Sequence, residues 1–551
     1  MTFLAASSPR SERRWLFTFA ALVMLATTLP YLAGFARQGA EWRFTGFVFG
    51  AADNNSYIAK MLSGMAGDWL FRTPYTAYPQ RGVVAFSAYL LLGKLAAPPA
   101  VHEQLVALYH LFRLAAGFLA ILATYDFIAL FVRETHWRRW GLTLAVLGHG
   151  LGWLLVLVGA ADWLGSFPLD FYSPETFGFL EIYGLPHLAL ARALLLWSLC
   201  LYLGNSRRTR AGGLDDRGVG MGVLWLGVGL LMPLSVVIGW AAVGLHLLAW
   251  GAWQLWLRQR GRCVSWTAWK HRLRRTTWGV SISAPAVLYF LLMFSFDPVL
   301  GGWQSQNLVL SPHPLHYLLA YGAVMPWAAL GGLRLVRRHA GRFWLPTAWI
   351  LALPFLVYAP LNLQRRLAEG VWVAWVALSM AGLEGLHPGR ARWGRLALLV
   401  CSPSTVIIIA LGFQTALHPA LPAFRAAGEV AAFEWLAQNA SPDEIVLASP
   451  ETSNALPAWA PLRVLVGHGA ESVNLAQLTA RIADFYRQGA DDPAGRSLLE
   501  EFDVAYLFYG PLEREWLESL GATPPRWPEG GDWQLVYARG DYRIYRLVRQ
   551  P

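Results

Sequence analysis

Runs of roughly 20 apolar residues, the length that crosses a ~30 Å hydrocarbon core as a helix, recur along the chain from residue 15 to residue 413. Lipid offers no partner for exposed backbone N–H and C=O groups, so repeated runs of this kind restrict the chain to a bundle of spanning helices. With 56% hydrophobic and only 14% charged residues over 551 positions, the sequence is too apolar for a soluble enzyme of its length. The run at residues 15–35 follows Arg10, Arg13 and Arg14. It is longer than the apolar region of a signal peptide and lacks a following small-residue cleavage site, so it reads as a retained first span. Further crossings are expected at residues 138–160, 187–204, 219–236, 238–257, 277–296, 315–336, 344–360, 371–387 and 395–413. Residues 83–98 and 105–132 are both apolar, yet an odd number of passes is needed there. Either 83–98 is interfacial or re-entrant, or the region makes three short passes, for about 11–13 spans in all.

The net charge of +11 would suggest nucleic acid in a soluble protein. Here the arginines cluster in short loops: Arg10/Arg13/Arg14, Arg133/Arg138/Arg139, Arg207/Arg208/Arg210, residues 258–275, Arg334/Arg337/Arg338/Arg342 and Arg390/Arg392/Arg395. Such clusters report topology, so no nucleic-acid partner is expected. Placing all of them in the cytoplasm gives a multi-pass protein of the plasma (inner) membrane, with the N-terminus inside and residues 420–551 outside. That last segment has the composition of a soluble domain, with 11 basic and 18 acidic residues. The expected organisation is therefore a transmembrane domain over residues 1–419, with a first external loop at 36–82, and an external domain over 420–551. Cys200, Cys263 and Cys401 fall in a span, a basic loop and a span, which supplies neither a disulfide framework nor zinc-site spacing.

The outer loops, residues 36–82, 161–186, 297–314 and 361–370, are long, whereas the inner ones are short and basic. In the first, Asp53 precedes Tyr57, Ile58, Met61, Leu62 and Met65 at helical spacing, which predicts an amphipathic helix lying on the membrane surface. Asp53 is then either a functional carboxylate or, like Asn55, a helix cap. In the second, Glu181 and His187 flank the entry to a span that carries Arg192. An arginine at that depth needs a partner, either a lipid-linked phosphate, the interface, or an internal acid such as Glu181; His187 is either a cavity group or a bystander. Arg365 and Arg366 stand in an outer loop where the positive-inside tendency disfavours them. Their forked donors suit phosphate oxygens, and Glu369 offers the alternative of an ion pair.

Residues 420–551 alternate between helical and strand patterns: helices near 427–439, 471–488, 494–502 and 511–519, strands at 445–449, 463–467 and 504–509, and a hairpin over 533–548 turning at Gly540-Asp541. This predicts an α/β domain with a partly parallel sheet. His468 and Glu471 follow one strand end, a place where ligands gather in such sheets, or else serve only to shape a turn and cap a helix.

Taken together, the many spans, the first-loop segment Asp53-Asn54-Asn55-Ser56-Tyr57, the late-loop segment Asn362-Leu363-Gln364-Arg365-Arg366 and the strand-end Gly467-His468 resemble the GT-C superfamily of polytopic glycosyltransferases, in particular bacterial membrane proteins of that superfamily. The resemblance implies a mainly helical transmembrane bundle with a C-terminal external α/β domain. It also implies sugar transfer from a polyprenyl-phosphate-linked donor to a hydroxyl of a glycan, lipid or protein acceptor at the outer face. Asp53 would be the general base, and Arg365 and Arg366, helped by Arg192, would stabilise the departing phosphate. Asn54, Asn55, Tyr57, Glu181, His187 and His468 are the cavity or acceptor candidates. Metal-dependent relatives place a second acid beside the first; here Asn54 follows Asp53, so no cofactor is required on this reading and a divalent metal is not favoured. The competing classes are a transporter or lipid-linked saccharide flippase and a non-catalytic envelope assembly protein. A flippase often shows matching halves with broken helices; no such repeat is visible, although prolines interrupt several runs.

Overall fold

The computed structural model describes residues 9–204, 215–264, 266–337, 341–488, 492–521 and 533–548; the expected cytoplasmic Arg207/Arg208/Arg210 cluster and Arg338 lie outside them. The protein is mainly helical. Among the described residues, six helices are long and apolar enough to cross a membrane: Arg10–Arg37, Val101–Ala129, Pro186–Leu203, Pro233–Gln259, Thr267–Phe296 and Gln364–Glu384. Gly341–Val357 and Pro403–Leu417 are shorter apolar helices.

Several of the apolar runs expected as crossings are broken into shorter helices. Residues 138–160 form Thr135–Leu147 and the short Gly152–Leu157, with irregular backbone between them. The run at 315–336 is divided into Pro314–Tyr321 and Met325–Arg337, and that at 395–413 into Pro388–Leu399 and Pro403–Leu417. Prolines open many of the resulting segments. Pro233, for example, takes the first turn of Pro233–Gln259 directly after Asp216–Leu231, where its missing N–H has no carbonyl to satisfy. The uncertain stretch 83–98 holds only the seven-residue helix Ser87–Gly93, and 105–132 lies largely within the single helix Val101–Ala129.

The chain divides into two compact units. The first comprises Met1–Thr28, Phe112–Leu292 and Val309–Leu411. Within it, Met325–Arg337 and Val371–Glu384 cross at a pair of glycines: a Cβ on Gly331 would lie 1.9 Å from the Leu378 carbonyl oxygen, and one on Gly382 would lie 2.2 Å from that of Trp327. Only glycine allows backbones to approach so closely, the usual device of helix pairs that gain no hydrophobic drive from lipid.

The second unit comprises Leu29–Leu111, Met293–Leu308 and Gly412–Pro551. In it the first loop and the C-terminal segment form one compact body. Strand β1 (Trp42–Phe44) pairs antiparallel with β2 (Phe424–Ala426). Strands β3 (Ile445–Leu447), β4 (Arg463–Val464), β5 (Val504–Tyr509), β6 (Trp533–Arg539) and β7 (Tyr542–Leu547) form a sheet in the order β4-β3-β5-β7-β6. The pairs β3–β4 and β3–β5 are parallel and the rest antiparallel, so the sheet is partly parallel as the pattern predicts. Helices Leu475–Gln488 and Pro493–Glu501 bury Leu478, Ile482, Phe485 and Leu498 against Leu447 and Leu507 of the sheet. Burial of each such side chain contributes about 1.5–3 kcal/mol.

The helix that follows Asp53 is present as Ala51–Met65, and protein covers much of it: Asn54, Asn55, Ser56, Ile58, Ala59, Lys60, Met61, Leu62 and Gly64 are all buried. Helix Ser87–Gly93 covers part of it at a second glycine crossing, where a Cβ on Gly93 would lie 1.7 Å from the Met61 carbonyl oxygen and one on Gly64 would lie 2.1 Å from that of Leu90.

Candidate functional site

In the second unit, Gly50 enters the helix Ala51–Met65 in the left-handed region, at φ 58°, and no side chain caps it. Asp53 therefore stands inside the first turn and is not the cap. From there Ser56 and Lys60 follow at three and seven residues, on one helix face. The opposing residues come from the loop after β4, where His468 precedes the single 3₁₀ turn Gly469–Glu471. Gly467 lets this loop in: a Cβ there would lie 2.6 Å from the Ser453 carbonyl oxygen and 2.8 Å from the Tyr75 ring.

The two elements meet through a row of charges. His468 Nε2 lies 3.0 Å from Asp53 Oδ1 and its Nδ1 lies 3.3 Å from Glu471 Oε1. Glu471 Oε1 accepts from Ser56 Oγ at 2.7 Å and from Lys60 Nζ at 2.7 Å, and Oε2 accepts from Thr73 Oγ1 at 2.8 Å; Lys60 also donates to Ser56 Oγ. Burial rises steeply along the row: the Asp53 side chain is 64% exposed, His468 18%, Glu471 3% and Lys60 0%. Two acids thus face an ammonium and an imidazole, with a single acid open to solvent.

Burial alone would lower the pKa of His468, but the hydrogen bonds to Asp53 and Glu471 outweigh it and raise the imidazole to about 9. Burial likewise opposes ionisation of Glu471, yet Lys60 and His468 hold its carboxyl well below the ordinary carboxylate range. Lys60 is lowered by burial, which Glu471 only partly offsets.

The other first-loop candidates take structural positions. Asn54 donates to the carbonyl oxygens of Phe49 and Gly50 at 2.8 and 3.0 Å and accepts from Tyr109. Asn55 donates to Asn454 Oδ1 at 3.0 Å, and Tyr57 stacks on Tyr89 with ring centroids 4.7 Å apart. Sequence reasoning paired none of Lys60, Ser56 and Thr73 with Glu471. The available signal was Lys60, a cation within an apolar helical pattern, on the same face as Asp53.

In the first unit, Arg192 is buried between two acids, with Nε 2.6 Å from Glu369 Oε1 and Nη2 2.9 Å from Glu181 Oε1. Gly178, at φ 88°, makes room for it, since a Cβ there would lie 1.6 Å from Arg192 Nη1. Glu181 is the internal partner that the sequence also allowed. Arg365 and Arg366 approach one carboxylate, that of Glu175, at 3.7 and 3.6 Å, and Arg365 lies over the Tyr172 ring at 4.6 Å. Both distances exceed direct hydrogen bonding. His187 lies buried in the first turn of Pro186–Leu203.

A resident divalent ion fits the Asp53 cluster poorly. Among the described residues no group of three or more His, Cys, Asp or Glu side chains is arranged to hold a metal. Glu471 is already occupied by Lys60, Ser56 and Thr73.

No family model matches the chain, and no curated protein matches it. Among solved structures, the apo oligosaccharyltransferase of Archaeoglobus fulgidus matches with a TM-score of 0.52 at 11% identity, over 91% of this chain and 70% of that one. AglB from the same archaeon, in complex with an inhibitory peptide and a dolichol-phosphate, matches at 0.51 and 12% identity over 92% and 70% of the two chains. The arabinofuranosyltransferase AftD from Mycobacteria matches at 0.52 and 14% identity, over 98% of this chain and 40% of AftD. The chain is a membrane protein with the fold of the GT-C glycosyltransferases.

Proposed function

We propose that this chain with a GT-C fold is a glycosyltransferase that moves a sugar from a polyprenyl-phosphate-linked donor to a hydroxyl of a glycan, lipid or protein acceptor at the outer face of the plasma membrane. The reading is supported by the fold and by the dolichol-phosphate bound to the structurally similar AglB. The observation that carries it is Asp53, a carboxylate held at 3.0 Å by His468 yet 64% exposed, so that it is oriented and still within reach of an incoming hydroxyl.

In this reaction Asp53 takes the proton of the acceptor hydroxyl as its oxygen bonds to the anomeric carbon. The bond from that carbon to the phosphate oxygen breaks, and the electron pair leaves with the polyprenyl phosphate. General-base assistance requires hydrogen-bond reach to the hydroxyl. Arg365 and Arg366 are assigned to the leaving phosphate: guanidinium forks match its oxygens, and their long approach to Glu175 leaves donor capacity to spare. Arg192 is assigned a positioning role, because Glu181 and Glu369 already take its charge.

The experiment is Asp53→Asn in the purified full chain, assayed with a lipid-linked sugar donor and a hydroxyl acceptor. Loss of about 10²- to 10⁴-fold in kcat with the protein still folded is expected for removal of a general base. Transfer at the wild-type rate would exclude Asp53 from that role.

A further inference from the structure

We infer that the cation partnering Asp53 during transfer is the imidazolium of His468, held in place by Glu471 and Lys60, and that the reaction proceeds without a divalent metal ion. The inference rests on the assignment of Asp53 as base and adds the identity of the group that keeps it ionised and oriented.

Geometry first sets the protonation of His468. Its Nε2 hydrogen-bonds Asp53 Oδ1 at 3.0 Å, and its Nδ1 lies at ion-pair distance, 3.3 Å, from Glu471 Oε1 without hydrogen-bond alignment. Carboxylates only accept, and an imidazole offers a donor at both nitrogens only when it is protonated. The ring's position is over-determined: Tyr75 lies beside it with centroids 5.5 Å apart, and Ser472 Oγ accepts from the backbone N–H groups of Gly467 and His468 at 2.9 and 3.3 Å. His468 is therefore a positioning residue for Asp53.

Charge balance then makes an added dication superfluous. Asp53 and Glu471 supply two negative charges; Lys60 and the His468 imidazolium supply two positive ones. Asp53 Oδ1 and His468 Nε2 are the groups that could turn to a metal, fewer than the three protein ligands of a catalytic zinc site, and Asp53 is the one carboxylate available where Mg²⁺ sites use one or two with substrate phosphate. A buried carboxylate behind a histidine is also a familiar arrangement for orienting a metal ligand. Here that carboxylate is shared with a fully buried ammonium, Lys60 Nζ at 2.7 Å, which weakens its pull on the ring and repels a dication nearby.

The groups that face His468 are Asp53, Glu471, Lys60 and Tyr75, and they fix its pH response. With its imidazole raised to about 9, His468 stays charged through neutrality, and Tyr75 is pushed well above the ordinary phenol range, mainly by burial. Activity therefore falls on the alkaline side when His468 loses its proton. Lys60, lowered by burial, is the other group able to shape that limb.

The test uses the wild-type full chain, Asp53→Asn and His468→Gln, with the same donor and acceptor across a pH series. Wild-type turnover is expected to be unchanged by excess EDTA. His468→Gln is expected to lower kcat by about 10- to 100-fold, the usual range for a group that orients a reactive ligand, with KM little changed and the alkaline limb near pH 9 abolished. Transfer abolished by EDTA and restored by Mn²⁺ or Mg²⁺ would overturn the inference while leaving Asp53 as base. A wild-type limb persisting in His468→Gln would overturn it too, by assigning the limb to Lys60. Full turnover by Asp53→Asn would remove the parent assignment and this inference together. The chelator comparison needs no variant, so the inference stays testable even if His468→Gln fails to fold.

Discussion

At the scale of single residues, the most consequential pair is buried and far apart in sequence. Lys60 and Glu471 are separated by 411 positions, yet their side chains meet at 2.7 Å. Removing Lys60 leaves the buried Glu471 with His468 as its remaining cation, so Lys60→Met should destabilise the protein by up to about 3–5 kcal/mol. The double variant Lys60→Met with Glu471→Leu should recover most of that loss, which thermal unfolding in detergent will resolve. The imidazolium of His468 makes a pH-dependent contribution of opposite sign to that of Glu471. Its value of about 9 in the fold lies above its ordinary 6.5, so its stabilisation is complete below about 6.5 and is lost as pH rises to about 9. The share of Glu471, whose pKa is depressed, is present above the ordinary carboxylate range and is lost only on strong acidification. Melting temperatures recorded from pH 6 to 10 should therefore decline on the alkaline side in the wild type and stay flatter in His468→Gln. Charge-assisted hydrogen bonds to phosphate are worth about 1.5–3 kcal/mol each. On the proposed role, Arg365→Ala and Arg366→Ala should each lower kcat/KM for the lipid-linked donor by about 10- to 150-fold, and retention of wild-type values would remove them from donor binding. Asp53 stood out in the sequence as an acid at the start of an amphipathic pattern. Its partners did not, because nothing local in residues 53–60 indicates what approaches from residues 468–471.

At the scale of elements, periodicity located helices and strands more reliably than it placed them. The spacing of Ile58, Met61, Leu62 and Met65 correctly predicts a helix, but an apolar face states only that something covers it. The cover here is protein, with Ser87–Gly93 crossing at Gly64 and Gly93. Each glycine faces a backbone carbonyl that cannot move aside as a side chain could. Gly93→Ala should therefore cost at least the ~1–3 kcal/mol typical of overpacking, and should lower the melting temperature more than an alanine at Gly39, where an added Cβ meets nothing within 4 Å. In the C-terminal segment the hairpin turn at Gly540-Asp541 and the helices Ala427–Asn439 and Pro511–Ser519 were legible from local chemistry alone. The strands β3 and β4 came out shorter than their apolar runs, since pairing, unlike hydrophobicity, requires a neighbour in register.

At the scale of the whole molecule, membrane residence follows from composition, whereas the number of spans does not. A run of apolar residues fixes burial, and only the backbone shows that runs such as 315–336 and 395–413 are broken into shorter pieces. The proposed orientation has a direct check in Cys263, the exposed one of the three cysteines, which lies in the basic stretch assigned to the cytoplasm. A membrane-impermeant maleimide should leave Cys263 unlabelled in intact cells or spheroplasts and label it after permeabilisation; labelling without permeabilisation would reverse the topology. The composition of residues 420–551 is that of a soluble domain. Within the second unit, however, β2 pairs with β1, and Arg463 donates to the carbonyl oxygens of Thr76 and Tyr78 at 2.7 and 2.8 Å.

Because Asp53 and His468 are 415 positions apart, the ribosome makes the carboxylate long before its companion. At 5–20 residues per second the interval is roughly 20–80 s. Throughout it the half-built cluster holds an acid without its imidazole and a lysine without its counter-ion. A nascent or prematurely terminated chain can thus insert its helices while having no assembled chemistry, so competence for the proposed transfer arrives only once residues 468–471 have been made.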